Sequence, residues 1–300
     1  MIPLSANTLP EDPIAASLIE PQLLRLRQDF GVYPVCASEI EFYIPGSQQA
    51  DVAMLYRAIN DLCSQENILL ADIGAERGHE QHEISLQPAD PLKIAHDTER
   101  LKQIVRQCCA ERGLSSNYAA KPWPSEPGSG LHIHLHLADC EGKNLFYKKD
   151  DIISDILKFS IGGMMHWLPD SFAVFAPYAE SYDRFVPGSN TPVTASWGAN
   201  NRTVAIRLPD SAPENKHIEH RVSGADAPVA PVIAVLLAAM HYGIVHRSEP
   251  GAQIYGDAAL GMYNLPAFFT SLEEARSAFN SSSRISDYFS RDNIAQMLAR

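Results

Sequence analysis

The chain has 300 residues, and 45 % of them are hydrophobic, which is enough apolar material to bury one large core. We therefore predict an N-terminal arm over residues 1–13 and one globular domain over residues 14–300. Lys and Arg number 24 against 36 Asp and Glu, and the formal net charge of −12 repels phosphate backbones and anionic lipid surfaces. This balance argues against nucleic acid and membrane surfaces as partners.

Helical and strand-like spacings follow one another through the first half of the chain. Apolar residues recur every three or four positions in the helical stretches and at every second position in the others. The predicted helices cover residues 14–30, 52–66 and 91–111, and the predicted strands cover residues 32–44, 82–88 and 131–137. The last of these strands, "LHIHLHL", places His132, His134 and His136 on one face and apolar side chains on the other.

The second half contains shorter strand-like stretches between longer helices. We predict helices over 151–167 and 228–246, and strands over 202–208 and 217–222. After residue 255 we predict a loop, then a helix that begins at Ser271, then a final helix near Asp292. Because strict βαβ alternation is missing, we predict an α+β fold: a curved antiparallel β-sheet with helices covering its outer face.

The spacing of the cysteines and the N-terminal sequence indicate in which part of the cell the protein is located. The five cysteines lack C-x-x-C spacing, so neither a disulfide framework nor a zinc site is predicted. The first residues, "MIPLSANTLPEDP", lack the basic and apolar regions of a signal peptide. We therefore predict a cytoplasmic protein.

Carboxylates and imidazole gather on the polar faces of the predicted strands: Glu39, Glu41, Glu83, His132 and Glu219. Taken alone, any one pair is more simply an exposed polar strand face. If the faces converge, their charges repel one another unless a divalent cation is bound, and oxygen donors with one imidazole favour Mg²⁺ or Mn²⁺. With Arg202, Arg207 and Arg221 interspersed, this residue set suits phosphoryl transfer.

Several other chemistries lack their motifs. The sequence contains neither G-x-x-x-x-G-K-[ST] nor a helix-opening G-x-G-x-x-G, so neither a P-loop nor a dinucleotide-binding fold is predicted. G-x-S-x-G is also missing, and Ser129 of "GSG" is therefore not predicted to be a nucleophile.

An ordered set of motifs resembles the catalytic domain of glutamine synthetase and its γ-glutamyl-amine ligase relatives. The resemblance runs from about Val35 to Ile244 and continues more weakly to the end. It is carried by "SEIEFYI", "GAERGHEQHEISLQPAD", "AKPW" before "GSGLHIHLHL", "SYDRFVPG", "SWGANNRTVAIRLP", "IEHRV" and "GADAP". Each motif is weak alone, but their order and spacing are specific.

This resemblance implies a reaction and a role for each matching residue. Members of the family use ATP with two or three Mg²⁺ or Mn²⁺ ions to phosphorylate the γ-carboxylate of glutamate, and an amine then displaces phosphate. By resemblance, Glu41, Glu76 and Glu83 hold one metal, and Glu39, His132 and Glu219 hold the other. The resemblance assigns Arg202 and Arg207 to the phosphates, Arg184 and Arg221 to glutamate, Gly128 to a backbone contact with substrate, and His134 to the nucleotide side. His136 is predicted to be a polar face residue.

Four departures from the family pattern affect the expected substrate and assembly. We expect the family's N-terminal β-grasp domain to be missing, which predicts an assembly unlike the usual ring for any homo-oligomer. Asn190 stands where glutamine synthetases carry a glutamate base; an amide cannot accept that proton, so we expect an organic amine rather than ammonia. His217 replaces an arginine on the nucleotide side, and Pro127 replaces an asparagine that recognises the α-amino group.

We therefore predict an ATP-dependent carboxylate–amine ligase that forms an amide, with a γ-glutamyl product, through an acyl phosphate. Its expected partners are a small carboxylate and an amine. Two alternatives stay open at this point. One is a catalytically inactive relative with a structural or regulatory role, and the other is a kinase that forms the acyl phosphate and needs a partner protein.

Overall fold

A computed structural model describes residues 12–47, 49–148, 153–188 and 191–299. The predicted arm lies outside these residues except for Asp12 and Pro13. Pro13 already belongs to the first helix, whose amino end is capped because the Asp12 carboxylate accepts hydrogen bonds from the Ile14 and Ala15 amides. Within the described residues, no helix combines the length and the apolar character that crossing a bilayer requires.

The described residues contain nine α-helices and seven strands. The helices are α1 (Pro13–Phe30), α2 (Gln49–Gln65), α3 (Pro91–Ala110), α4 (Asp155–Trp167), α5 (Phe172–Phe175), α6 (Val229–Val245), α7 (Leu272–Ser281), α8 (Ser283–Tyr288) and α9 (Arg291–Leu298). The strands are β1 (Tyr33–Tyr43), β2 (Leu70–Ala75), β3 (Gln81–Leu86), β4 (Leu131–Ala138), β5 (Trp197–Ala199), β6 (Ile206–Leu208) and β7 (Ile218–His220). Every predicted helix and strand is present, whereas β2, β5, α5 and α8 were not predicted.

All seven strands form one open sheet in the order β2-β3-β1-β4-β7-β6-β5. The pairs are antiparallel as predicted, except that β5 runs parallel to β6 at one edge. The register places Glu39 opposite His132 and Glu41 opposite Glu83, and it pairs His134 with Glu219 across β4 and β7. Four adjacent strands, β3, β1, β4 and β7, therefore present their acidic and imidazole side chains to the same region of one sheet face.

The opposite face of the sheet is covered by helices, which confirms the predicted α+β architecture. Ile40, Ile133 and Leu135 on the central strands are at most 1 % exposed and join one continuous apolar cluster with α1, α3 and α6. Helix α6 is apolar all round and buried along most of its length. Burying this apolar surface supplies the main stabilisation of the fold and leaves the polar face of the sheet free to line a cavity.

Helices α4 and α6 cross with their backbones in close approach. A Cβ atom added at Gly163 would lie 2.0 Å from the Ala239 carbonyl oxygen, and one at Gly243 would lie 2.1 Å from the Phe159 carbonyl oxygen. Glycine is therefore required on both sides of this contact, because any larger side chain would force the helices apart.

A buried histidine ties α1, α6 and α8 together and predicts a pH dependence of stability. His241 Nε2 donates to Asp29 (2.8 Å), and Nδ1 accepts from the Tyr288 hydroxyl (2.7 Å), so the neutral imidazole satisfies both partners. Burial lowers the pKa of His241 despite the carboxylate of Asp29, and the cations of Arg25 and His246 lower it further. A histidine in the unfolded chain binds a proton near pH 6.5, so this contribution is present above that pH and is lost as the pH falls.

We expect His241→Gln to be less stable than the wild type at pH 8, with a difference that shrinks as the pH falls through 6. Urea unfolding at pH 8, 7, 6 and 5 measures this difference. An unchanged difference across the series would show that His241 contributes through packing alone.

Candidate active site

The pairing of β1 with β4 builds the centre of the polar face. His132 Nδ1 lies 2.6 Å from Glu39 Oε1 and 3.7 Å from Glu219 Oε1, and His134 Nε2 lies 3.7 Å from Glu39 Oε2. Burial alone would raise the pKa of Glu39, but the hydrogen bonds from His132 and His134 lower it far below its usual range. Glu39 is therefore a carboxylate shared by two imidazoles.

Two further carboxylates, Glu83 and Glu41, lie beside it, and their pKa values are raised. Burial and the neighbouring charges of Glu39 and Glu41 together raise the pKa of Glu83 to about 10. Burial also raises the pKa of Glu41, although its Oε2 accepts a hydrogen bond from the Gly130 amide at 2.6 Å. These half-buried carboxylates repel one another, and a bound divalent cation would offset that repulsion.

Glu219 has the opposite environment. Arg207 Nη1 donates to its Oε2 at 2.8 Å, and Arg221 donates to its Oε1. Burial would raise the pKa of Glu219, but Arg221, His132, His134 and Arg207 together lower it to about 2. Glu219 is therefore ionised and 1 % exposed, with a guanidinium group on each oxygen.

The donor atoms fit a hard divalent cation. Two sets of side chains bring three ligand atoms within 4.8 Å of one another: Glu39, Glu83 and His132 in the first, and Glu39, His134 and Glu219 in the second. Carboxylate oxygens with one imidazole per set match the preference of Mg²⁺ and Mn²⁺. The predicted partition, with Glu41, Glu76 and Glu83 in one set and Glu39, His132 and Glu219 in the other, stays a prediction. The sheet register also brings His134 next to Glu39 and Glu219.

A tight turn covers the guanidinium group of Arg184. A Cβ atom at Gly128 would lie 2.8 Å from Arg184 Cγ, and one at Gly130 would lie 2.6 Å from Arg184 Nη2. Arg184 is 3 % exposed, and its Nη1 donates to the Val222 carbonyl oxygen at 2.8 Å. Burial lowers the pKa of Arg184 to about 10, so the group stays charged near neutral pH. Both glycines are needed because the chain passes directly over this side chain.

A cavity of about 440 Å³ opens over these groups. Among the described residues, the Nε atoms of Arg184 and Arg221 are buried without a hydrogen-bond partner. The predicted residues that line the cavity are Glu39, Glu41, Glu76, Glu83, Gly128, His132, Arg184, Arg202 and Arg221. Arg202 is exposed at the rim. Glu219 does not line the cavity but contacts two residues that do, Arg221 and His132, and Arg207 contacts Glu219 from behind. Buried, charged arginines beside a carboxylate cluster suit an anionic ligand.

A second cavity of about 330 Å³ lies on the other side of Glu39. Apolar residues such as Val35, Leu86 and Pro88 line it together with three histidines: His134, His136 and His217. The His134 and His217 rings lie 5.1 Å apart between centroids. His136, which was predicted only as a polar face residue, thus also faces a cavity that adjoins the carboxylate cluster.

Comparison with known proteins identifies this arrangement. The family model for the glutamine synthetase catalytic domain matches residues 32–299. The chain belongs to this family. A glutamine synthetase of Pyrococcus horikoshii is 35 % identical over 60 % of the chain and 40 % of its own length.

Relatives that act on organic amines match over more of the chain. γ-Glutamylputrescine synthetase PuuA of Escherichia coli is 32 % identical over 78 % of the chain, and a glutamate–isopropylamine ligase of a Pseudomonas species is 32 % identical over 72 %. The matches cover 56 % and 48 % of those two proteins, so the chain spans about half the length of the curated relatives it matches. A solved structure of GmaS in complex with ADP superimposes with a TM-score of 0.84 at 22 % identity, covering 95 % of this chain and 72 % of that one.

Membership of the glutamine synthetase family explains why motifs that are far apart in the sequence converge in the fold. Asn190 lies outside the described residues. Lys121, Arg77 and Glu126 also line the larger cavity but were not singled out from the sequence. They lie on loops rather than on strands, so no period-two pattern marked them.

Proposed function

We propose that this chain carries an ATP-dependent ligase activity that joins the γ-carboxylate of glutamate to an organic amine through an acyl phosphate. The observation that carries the proposal is the convergence of Glu39, Glu83 and His132 with buried Arg184 and Arg221 around one cavity, with Glu219 directly behind His132 and Arg221. The relatives named for putrescine, for isopropylamine and, in Streptomyces coelicolor, for ethanolamide support an amine larger than ammonia. The amide side chain of Asn190 supports the same reading, because it cannot accept a proton from ammonium.

Two sets of residues would hold the divalent cations. Glu39, Glu41, Glu76, Glu83, His132, His134 and Glu219 supply the oxygen and nitrogen donors. When bound, Mg²⁺ or Mn²⁺ would neutralise charge on the phosphate oxygens and on the developing leaving group. The protein's own share is to hold these donors on rigid strands before substrate arrives.

The arginines divide between the two anionic groups of the reaction. Arg184 is buried under the Gly128 turn and Arg221 is buried beside Glu219, and both would bind a substrate carboxylate, for which a planar guanidinium group is suited. Arg202 at the rim and Arg207 beside Glu219 would bind phosphate oxygens. Positive charges fixed at two places on one scaffold would bring the γ-carboxylate and ATP together in one orientation.

The proposed chemistry has two steps. A γ-carboxylate oxygen attacks the γ-phosphorus of ATP, and the bond to the ADP oxygen breaks. The amine nitrogen then attacks the acyl carbon, the carbon–oxygen bond to phosphate breaks, and the nitrogen loses a proton. Water must be kept out because it would hydrolyse the acyl phosphate.

The cavity with His134, His136 and His217 would hold the nucleotide base. It is walled by apolar side chains and touches the carboxylate cluster at Glu39, so a base there would place its phosphates toward the cations. We also propose a cytoplasmic location, since four of the five cysteines are buried as free thiols.

Arg184→Met should raise the KM for glutamate at least about tenfold, since a charge-assisted pair of hydrogen bonds contributes about 1.5–3 kcal/mol. The KM for ATP should change little. Steady-state kinetics with ADP detection measure both constants. Arg112→Met is the matched control, because Arg112 also donates to a backbone carbonyl, that of Cys108, but does not line the cavity. Equal rises in both KM values would contradict the assignment of Arg184 to glutamate.

The deciding experiment incubates the protein with ATP, Mg²⁺ or Mn²⁺, glutamate and a panel of amines, with ADP release and product mass as readouts. We expect amine-dependent ADP release and a γ-glutamylamide, both abolished by EDTA. Glutamyl hydroxamate from hydroxylamine without any other amide would favour the kinase that needs a partner. Failure to bind nucleotide or Mn²⁺ would favour the inactive relative.

A further inference from the structure

Two loops border the larger cavity and carry residues of the candidate site. The loop 76–80 connects β2 to β3 and begins with Glu76, and the turn 127–130 precedes β4 and contains Gly128. The first residue of β3, Gln81, lies between them and is 1 % exposed.

The Gln81 side chain makes one hydrogen bond to each loop. Its Oε1 accepts from the Gly78 amide at 2.9 Å, and its Nε2 donates to the Gly128 carbonyl oxygen at 3.0 Å. A backbone donor on one side and a backbone acceptor on the other fix the orientation of the amide group. The backbone of Gln81 also closes the first loop, because its carbonyl oxygen accepts from the Glu76 amide at 2.8 Å.

Tyr43 holds the same turn one residue earlier. It lies opposite Gln81 in the register of β1 and β3, is 1 % exposed, and donates from its hydroxyl to the Pro127 carbonyl oxygen at 2.8 Å. Space for both side chains exists only because residue 78 is glycine: a Cβ there would lie 2.3 Å from the Tyr43 hydroxyl oxygen. The Trp123 ring packs edge-on against Tyr43 with centroids 5.0 Å apart.

We propose that Gln81 and Tyr43 are positioning residues. They hold the turn 127–130 above Arg184 and fix its position relative to the loop 76–80. The proposal rests on the proposed function for its kinetic consequence, and on geometry alone for its structural one. Side chains on β1 and β3 donate hydrogen bonds to two consecutive carbonyl groups of the turn, those of Pro127 and Gly128. These bonds keep the two peptide groups from rotating toward the cavity. A second, less buried tie between the loops is the Glu126 carboxylate, which accepts from the His79 amide.

Loss of the Gln81 donor would leave the Gly128 carbonyl without this partner and free the turn to move. A displacement of about 1 Å at a reacting centre can cost about 10²-fold in rate, so even partial release should be measurable. The smaller cavity, which is proposed to hold the nucleotide base, lies on the other side of Glu39, and the turn does not line it. The effect should therefore fall on the carboxylate substrate and not on ATP.

Two variants separate the two hydrogen bonds. Gln81→Met is similar in length and removes both, whereas Gln81→Glu keeps the acceptor for Gly78 and removes the donor to Gly128. Tyr43→Phe removes only the hydroxyl group. Gln87→Met is the matched control, because Gln87 is exposed and its Nε2 donates to the Leu70 carbonyl oxygen away from the turn.

The first readout is hydrogen exchange on the protein without substrate or added metal. Gln81→Met should speed exchange at least about tenfold in peptides covering both 76–80 and 127–130, and Gln81→Glu only in those covering 127–130. Tyr43→Phe should resemble Gln81→Glu. Exchange at wild-type rates in both loops of Gln81→Met would overturn the proposal, whatever the activity of the protein.

The second readout compares the KM for glutamate with the KM for ATP. We expect Gln81→Met to raise the KM for glutamate at least about tenfold with an unchanged KM for ATP. Equal loss with respect to both substrates would show a general structural role and also overturn the proposal. A wild-type protein with no activity would refute the proposed function, while the exchange result would still decide the role of Gln81.

Discussion

Glu83→Gln is expected to abolish the proposed ligase reaction while leaving the fold intact or more stable. Glu83 lies in a half-buried carboxylate cluster with Glu39 and Glu41. Because its pKa is raised to about 10, folding without cations requires Glu83 to take up a proton near neutral pH, and the neutral isostere Gln avoids this cost. The same change removes an oxygen donor that a divalent cation needs. A loss of about 3 kcal/mol of transition-state stabilisation corresponds to at least about 10²-fold in kcat/KM.

Calorimetry in EDTA and in Mn²⁺ would test the two halves of this prediction together with kinetics. In EDTA the melting temperature of Glu83→Gln should equal or exceed that of the wild type. In Mn²⁺ the wild type should gain stability because the cation binds the folded state, and the variant should gain much less. Glu111→Gln, a change at an exposed helix end, is the control. A variant that melts earlier in EDTA and still gains full stability from Mn²⁺ would show that Glu83 is structural and not a ligand.

Gly163→Ala is expected to destabilise the fold strongly, because it adds a methyl group in the close contact between α4 and α6. The added Cβ would lie 2.0 Å from the Ala239 carbonyl oxygen and 2.7 Å from Gly243 Cα, and neither backbone can yield without moving a helix. Overpacking of a core costs about 1–3 kcal/mol, and a clash with backbone lies at or above the upper end. We expect thermal unfolding to shift down by several degrees or more.

The matched control for this prediction is Gly261→Ala. A Cβ at residue 261 would meet nothing within 4 Å, and its backbone needs no left-handed conformation. Equal melting temperatures for Gly163→Ala and Gly261→Ala would mean that α4 and α6 are not held as closely as described.

The long elements could be predicted from the sequence because their spacing is regular. Helices α1, α3 and α6 and strands β1 and β4 each run for eight or more residues with a clear period. Strand β5 has three residues, and β2 is half-exposed with a shift of register between Leu70 and Asp72, so neither carries a readable alternation. The parallel pairing of β5 with β6 depends on the connection between them and not on composition.

The types of residue in the candidate site were predictable, but their grouping was not. Motifs located Glu39, His132 and Glu219, yet only the register of β1, β4 and β7 makes Glu39 the common member of both donor sets. Gln81 immediately precedes the predicted strand over residues 82–88. Its bond to Gly128 joins positions 47 residues apart, which no local spacing reveals.

The two guanidinium groups on Glu219 have a thermodynamic consequence. Arg207 and Arg221 already neutralise this carboxylate, so a cation that binds Glu219 competes with both of them. The N–H donors released in this exchange become available to phosphate or carboxylate groups of a ligand. Cation and anionic ligand should then strengthen each other's binding by the same factor, since coupling free energy is reciprocal. Binding of one cation at Glu219 would in that case release two guanidinium groups, those of Arg207 and Arg221, to bind the substrate.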